Sequence, residues 1–236
     1  MYLEGTSMLI STFPAGDWQT NCYVVAPSAN AECIIIDPGY ECVGQVADVI
    51  AKHKLKPVAT LLTHGHIDHM WSVYPLSTGY DIAAYIHESD RHLLSDPYSG
   101  ISPETVMMLK ASLSIDLEFV EPSKVVVFDK ETTVSLAGIE FELLPAPGHT
   151  QGSTIFKICD EVTTVFSGDV LFAGAIGRTD LPGGSQVAMS ETLRDVVLPL
   201  PDDARVLPGH GPETTMAIER VTNPFLLRIA QGLDAV

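Results

Sequence analysis

The sequence predicts a mixed α/β protein made of two β-rich halves, each closed by helices, and three observations carry that prediction. Short segments rich in Val, Ile and aromatic residues and bounded by turn residues form two blocks, one near the start and one beyond residue 124. A segment with apolar residues at three- and four-residue spacing follows each block. No linker of Pro, Ser or charge separates the halves, so the whole chain, residues 1–236, reads as one domain.

In chain order, residues 8–13, 21–26 and 32–37 read as strands of an antiparallel start. Val43, Val46, Val49, Ile50 and His53 recur at helical spacing between Gly39 and Pro57, which predicts a helix. Residues 57–63 read as a strand that runs directly into His64. The middle, from about Trp71 to Leu117, shows no clear pattern; within it, His87 and His92 sit in a polar, helix-like stretch. Strands return at 124–128, 138–144, 153–159 and 162–167, and a helix over 186–197 precedes a last strand at 204–207. A surface or packing role is expected for His53, His87 and His92.

Composition excludes several function classes. Thirteen Lys plus Arg against 30 Asp plus Glu leave a net charge of −17, which opposes nucleic acid and anionic membranes as partners. Apolar runs such as 22–26 and 82–86 are too short to span a bilayer. Residues 1–7 carry Glu4 and no basic residue before the apolar stretch at Met8; they read as an expression remnant ahead of a natural start at Met8, not as a secretory signal. Cys22, Cys33, Cys42 and Cys159 form no CxxC pair, which fits free thiols and a cytoplasmic location. Cys33 and Cys159 lie in strand-like apolar runs and are expected to be buried structural thiols.

The chemistry concentrates in Thr63-His64-Gly65-His66-Ile67-Asp68-His69, three imidazoles and a carboxylate within six residues. Imidazole nitrogen with carboxylate oxygen suits Zn, Fe or Mn, whereas Ca or Mg sites are nearly all oxygen. Three further segments place a ligand type beside glycine after a predicted strand: Pro147-Gly148-His149-Thr150, Ser167-Gly168-Asp169-Val170 and Pro208-Gly209-His210-Gly211. Glycine lets backbones approach closely, as loops converging on one small site require.

The ordered set HGHIDH, PGHT, SGD and PGHG resembles the metallo-β-lactamase-fold hydrolases. Within them, GDVLFAGAIGRTDLPGG from Gly168 and the closing Asn223-Pro224-Phe225 are similar to the glyoxalase II-like thioester hydrolases that lack a C-terminal helical domain; only 12 residues follow Pro224. The resemblance implies a four-layer αββα sandwich with a dinuclear centre at one edge of its two sheets. It implies that His64, His66 and His149 bind one divalent metal ion and Asp68, His69 and His210 a second. Asp169 would bridge them, and Asp68 and Asp169 would be the catalytic carboxylates. The metals would be Zn, Fe or Mn, and a bridging hydroxide would attack the carbonyl of a small acyl-thiol such as S-lactoylglutathione.

Two positions keep two readings each. Asp37 is either an acceptor for the N–H of a ligand imidazole or a simple turn residue. Arg178 either holds an anionic substrate or forms a salt bridge to Asp180 or Asp169. In glyoxalase II a basic residue here precedes an aromatic pair, which Thr179 and Asp180 replace in this chain. Persulfide dioxygenases, which use one iron, share the ligand motifs and the Gly-Arg-Thr-Asp element; acyl-homoserine lactonases share the ligand set. The sequence carries no signal for an oligomeric state.

Overall fold

In the computed structural model, which describes residues 8–113 and 118–235, two six-stranded sheets account for most of the chain. The readings of residues 1–7 and of the end of the middle stretch at 114–117 lie outside the described residues. Strands β1 (Leu9–Ala15), β2 (Thr20–Ala26) and β3 (Glu32–Ile36) form the antiparallel start, with Leu9 opposite Ala26 and Tyr23 opposite Ile36. Helix α1 (Val43–His53) then crosses over, so β4 (Lys56–Leu61) pairs parallel to β3. Lys52 and His53 sit favourably in its last turn against the carbonyl end of the helix dipole, and Lys54 stops it in a left-handed conformation at φ 53°.

The middle stretch holds more order than its pattern suggests. After α2 (Ile67–Met70) and α3 (Val73–Tyr80), strand β5 (Ala83–His87) pairs parallel to β4. His87 is therefore the buried last residue of a strand and not part of a helix, and His92 lies in a 3-10 turn over Glu88–Leu94. The helix-like reading failed because a strand covered on both faces loses its two-residue alternation. Helix α4 (Pro103–Leu113) precedes β6 (Val125–Phe128), which pairs parallel to β5 and completes the first sheet.

The second sheet takes β7 (Thr132–Leu136), β8 (Ile139–Pro145), β9 (Thr154–Ile158) and β10 (Thr164–Gly168) as an antiparallel run. Strand β7, which pattern reading missed, folds onto β8 through Ala137 and Gly138, both at positive φ, as a tight hairpin requires. A small hairpin of β11 (Leu171–Phe172) and β12 (Ala175–Ile176) follows. Helix α5 (Gln186–Thr192), capped by the Ser185 side chain, continues as a π turn over Leu193–Val197. Strand β13 (Arg205–Pro208) then joins β10 in parallel, with β14 (Thr214–Thr215) at its edge. The short helices α6 (Met216–Thr222) and α7 (Pro224–Ala230) lay below the reach of periodicity. The Asn-Pro-Phe segment has a structural reason: the Asn223 side chain accepts from the Phe225 and Leu226 amides, and Pro224 occupies the first turn of α7.

Alternate residues along these strands sort into layers. Tyr23, Val25, Ile34, Ile36 and Leu61 from the first sheet meet Phe141, Leu143, Phe156, Phe166 and Leu207 from the second in one core between the sheets. The opposite faces are covered by helices: Ile35 and Cys22 pack with Val46 of α1, and Val165 and Val206 pack with Met189, Leu226 and Ile229. The result is the four-layer αββα sandwich. Cys33 is buried as expected, whereas Cys159 is exposed, with its thiol donating to Glu142 Oε1 at 3.4 Å. It stands one residue past the end of β9, where the pleat no longer covers it.

Candidate metal centre

Four loops leave the sheets at one edge and carry the seven motif residues. The first follows β4, and the others follow β8, β10 and β13, which run in one direction within their sheet. Backbone hydrogen bonds sew the two sheets together here, Thr154 N–H to Thr63 O at 2.8 Å and Asn21 N–H to Gly209 O at 2.7 Å, and Gly209 N–H to Gly168 O at 2.8 Å ties two loops of the second sheet to each other. Two glycines owe their place to this crowding. Gly168 takes φ +48°, and a Cβ there would strike the Thr63 side chain. A Cβ on Gly209 would strike Asp169 Oδ1 and stand 2.6 Å from the His69 ring.

The motif residues converge as three overlapping groups: His64, His66 and His149; His64, His69 and Asp169; and Asp68, His69 and His210, with ligand atoms within 4.8 Å of one another in each. His66 Nδ1 lies 2.9 Å from His149 Nε2. Asp169 reaches both sides, 3.3 Å from His69, 3.5 Å from His149 and 3.7 Å from His210. Asp68 Oδ2 is 3.1 Å from His210 Nε2 and also accepts from Thr20 Oγ1 at 3.0 Å.

The imidazoles are aimed by groups behind them. The Asp37 carboxylate, only 1% exposed, takes the Thr63 amide at 2.8 Å, the Thr63 hydroxyl at 2.6 Å and His69 Nδ1 at 3.0 Å. Asp37 also turns the chain, at φ 48°. With its proton on Asp37, Thr63 Oγ1 is left to accept from His64 Nδ1 at 3.1 Å. His149 Nδ1 donates to the backbone carbonyl of Arg178 at 2.8 Å. His64, His69 and His149 thus each use Nδ1 outward and leave Nε2 facing the centre, the arrangement that metal-ligating histidines need.

Asp90, which sequence reading missed, ties two ligand loops to each other. It is 2% exposed and accepts from Gly65 N–H at 2.9 Å, the Thr150 hydroxyl at 2.7 Å and Gly152 N–H at 2.8 Å. Gly65 separates His64 from His66, and Thr150 follows His149. Nothing local in Glu88-Ser89-Asp90-Arg91 marks this role, since its partners lie 25 to 62 residues away.

The electrostatics divide the site. Burial, reinforced by neighbouring imidazoles, pushes His64 well below the ordinary histidine range and His66 down to about 3, so both present neutral nitrogens. Burial also works against a charge on His69, but Asp68, Asp169 and Asp37 around it outweigh that and raise its pKa well above the ordinary range. The carboxyls of Asp68 and Asp169 are held low despite burial, chiefly by His69. Positive charge is therefore favoured between two carboxylates and neutral donors are favoured beside them. His64 Nε2, His66 Nε2, His69 Nε2 and Asp169 Oδ1 are buried with no hydrogen-bond partner among the described residues. Orphaned buried donors and acceptors of this kind are costly unless a ligand meets them. The donor set fits divalent Zn, Fe or Mn.

Arg178 resolves in favour of one of its two salt bridges. Its guanidinium lies bidentate on Asp180, at 2.7 and 2.8 Å, and not on Asp169. Its side chain also lines a cleft that opens on Asp68 and His210.

Residues 15–210 match the sequence profile of the Metallo-beta-lactamase superfamily. The chain is 41% identical over 224 residues to the uncharacterized protein Rv2581c of Mycobacterium tuberculosis, covering 93% of this chain and 98% of that one. It is 33% identical over 220 residues to the hydroxyacylglutathione hydrolase GloC of Haemophilus influenzae, again covering 93% and 98%. Among solved structures it is similar to the BLEG-1 B3 metallo-beta-lactamase, with a TM-score of 0.79, 32% identity and coverage of 92% and 99%. It is also similar to TTHA1623 in a di-iron-bound form, with a TM-score of 0.73, 35% identity and coverage of 92% and 100%. No helix among the described residues is long and apolar enough to cross a membrane.

Proposed function

The chain belongs to the metallo-beta-lactamase superfamily of metal-dependent hydrolases, and we propose that it is a two-metal hydrolase of acyl thioesters working in the cytoplasm. The observation that carries this reading is the convergence of five imidazoles and Asp169 with a second carboxylate, Asp68, in overlapping groups that share His64 and His69. One metal is assigned to His64, His66 and His149, the other to Asp68, His69 and His210, with Asp169 between them. The similarity to a hydroxyacylglutathione hydrolase and to a di-iron protein supports both the chemistry and the metal count.

A pair of divalent cations, when bound, lowers the pKa of a shared water to near neutrality and withdraws charge from a carbonyl. The residues of the chain do the rest. Burial of His64, His66 and His69 keeps bulk water from the ligand nitrogens. Asp37, Thr63 and the Arg178 carbonyl hold the rings in one tautomer and one orientation. Asp68, partly open to the cleft, lies where a substrate carbonyl enters. A thiolate is a good leaving group, so no acid residue is needed beside it.

Metal content by mass spectrometry, together with a hydrolysis panel of thioesters, a penicillin and an acyl-homoserine lactone, tests the proposal. Two metals per chain and thioester cleavage support it. A single iron with oxygen consumption on a persulfide would replace it with the dioxygenase reading, and a protein that binds no metal would end both.

A further inference from the structure

The cleft beside the metal centre has a chemical character of its own. It measures about 600 Å³, and Asp68 and His210 of the centre line it. Apolar Trp18, Ile67, Ile101, Met108 and Leu109 make up most of its walls, with Thr105 among them. Trp18 is braced by Tyr40 and Trp71, with ring centroids 4.8 and 5.7 Å away, so that wall is formed in advance. From α4 the cleft takes Met108, which is 73% exposed. Unbranched thioether side chains adapt to apolar groups of varying length.

Charge points the same way. Arg178 is the only Lys or Arg among the described residues lining the cleft, and Asp180 already engages its guanidinium at both nitrogens. The chain as a whole carries a net charge of −17. The two carboxylates of a glutathione thioester would find little to pair with here. Apolar walls meeting a paired arginine instead reward a substrate that carries hydrocarbon.

We infer that this cleft takes an uncharged aliphatic acyl chain, so that the substrate class is an aliphatic acyl thioester and not a glutathione thioester; the inference rests on the thioester-hydrolase reading above. In the reaction, water oxygen forms the new bond to the acyl carbon and the C–S bond breaks with its electron pair on sulfur. One water proton ends on the thiolate or in solvent, and the carboxylic acid product releases the other.

The test uses the metal-loaded protein and S-acyl-N-acetylcysteamines from acetyl to octanoyl, compared with S-lactoylglutathione. We expect kcat/KM to rise about three- to fourfold for each methylene that enters the cleft, to exceed that for S-lactoylglutathione, and to lose its chain-length dependence in Met108→Glu. Asp180→Ala, which frees Arg178, should raise kcat/KM for S-lactoylglutathione severalfold. A flat chain-length profile with S-lactoylglutathione preferred overturns the inference while leaving thioester hydrolysis intact. If no thioester is cleaved, the parent reading fails, and binding decides the cleft. Both tryptophans of the chain, Trp18 and Trp71, belong to its wall cluster and report occupancy by fluorescence. Tighter binding of S-octyl-N-acetylcysteamine than of S-methylglutathione, weakened about tenfold in Met108→Glu, sustains the apolar assignment; equal or tighter binding of S-methylglutathione refutes it.

Discussion

Replacing Asp90 with Ala should destabilise the metal-free protein by about 4 kcal/mol, and the figure follows from what its carboxylate accepts. Gly65 N–H and Gly152 N–H, at 2.9 and 2.8 Å, lose their partner inside the protein. The Thr150 hydroxyl keeps a second neighbour, Ser153 Oγ at 2.8 Å, and loses less. Each orphaned buried amide costs about 1–3 kcal/mol, so two cost about 2–6. That is a large fraction of the roughly 5–15 kcal/mol that holds a typical domain folded. Urea unfolding of wild type and variant, compared at equal slopes, measures it. Asp90→Asn keeps the volume and most acceptor geometry, and its loss should be about half as large, roughly 2 kcal/mol. The metals give a sharper readout. Asp90 ties the loops of His64, His66 and His149, whereas His69 is held by Asp37. Asp90→Asn should therefore weaken one of two metals about 10- to 100-fold in chelator competition and leave the other within a few-fold. A destabilisation below about 1 kcal/mol in Asp90→Ala, or equal weakening of both metals in Asp90→Asn, would refute the reasoning.

Four further outcomes follow from the same geometry. Asp169→Ala, which removes the carboxylate reaching His69, His149 and His210, should empty both metal positions; retention of two metals with full turnover would show the bridging assignment to be wrong. Gly209→Ala places a methyl group against Asp169 and the His69 ring, so metal stoichiometry should fall sharply even if circular dichroism shows a folded chain. Phe141→Ala in the fully buried core between the sheets should cost about 3–5 kcal/mol by denaturant titration. A thiol reagent should label Cys159 in the native protein and spare Cys22, Cys33 and Cys42 until unfolding. Partial burial and the Glu142 carboxylate hold the Cys159 thiol above its ordinary range, so that labelling should quicken as pH rises.

The sequence by itself determined the local parts of this protein. Thr63 to His69 is legible because three imidazoles and a carboxylate of one site sit in one loop, and the β1 to β3 block is legible because its turn residues and Val/Ile runs lie close together. The family pattern added His149, Asp169 and His210, each beside a glycine. Tertiary structure decided what depends on distant contacts. Asp90 looks like any acidic residue in a polar turn until Gly65, Thr150 and Gly152 close around it. Which of Asp180 and Asp169 pairs with Arg178 is decided only by where Asp180 stands. The cleft is assembled from Trp18, α2, the residues around α4 and the loop after β12, none of which signals it alone. Strand β5 escaped notice because burial on both faces erases the alternation that marks a strand. Periodicity and turn chemistry act over a few residues and leave a mark on the sequence. Contacts across 25 to 62 positions are selected one pair at a time and leave none that a single chain can display.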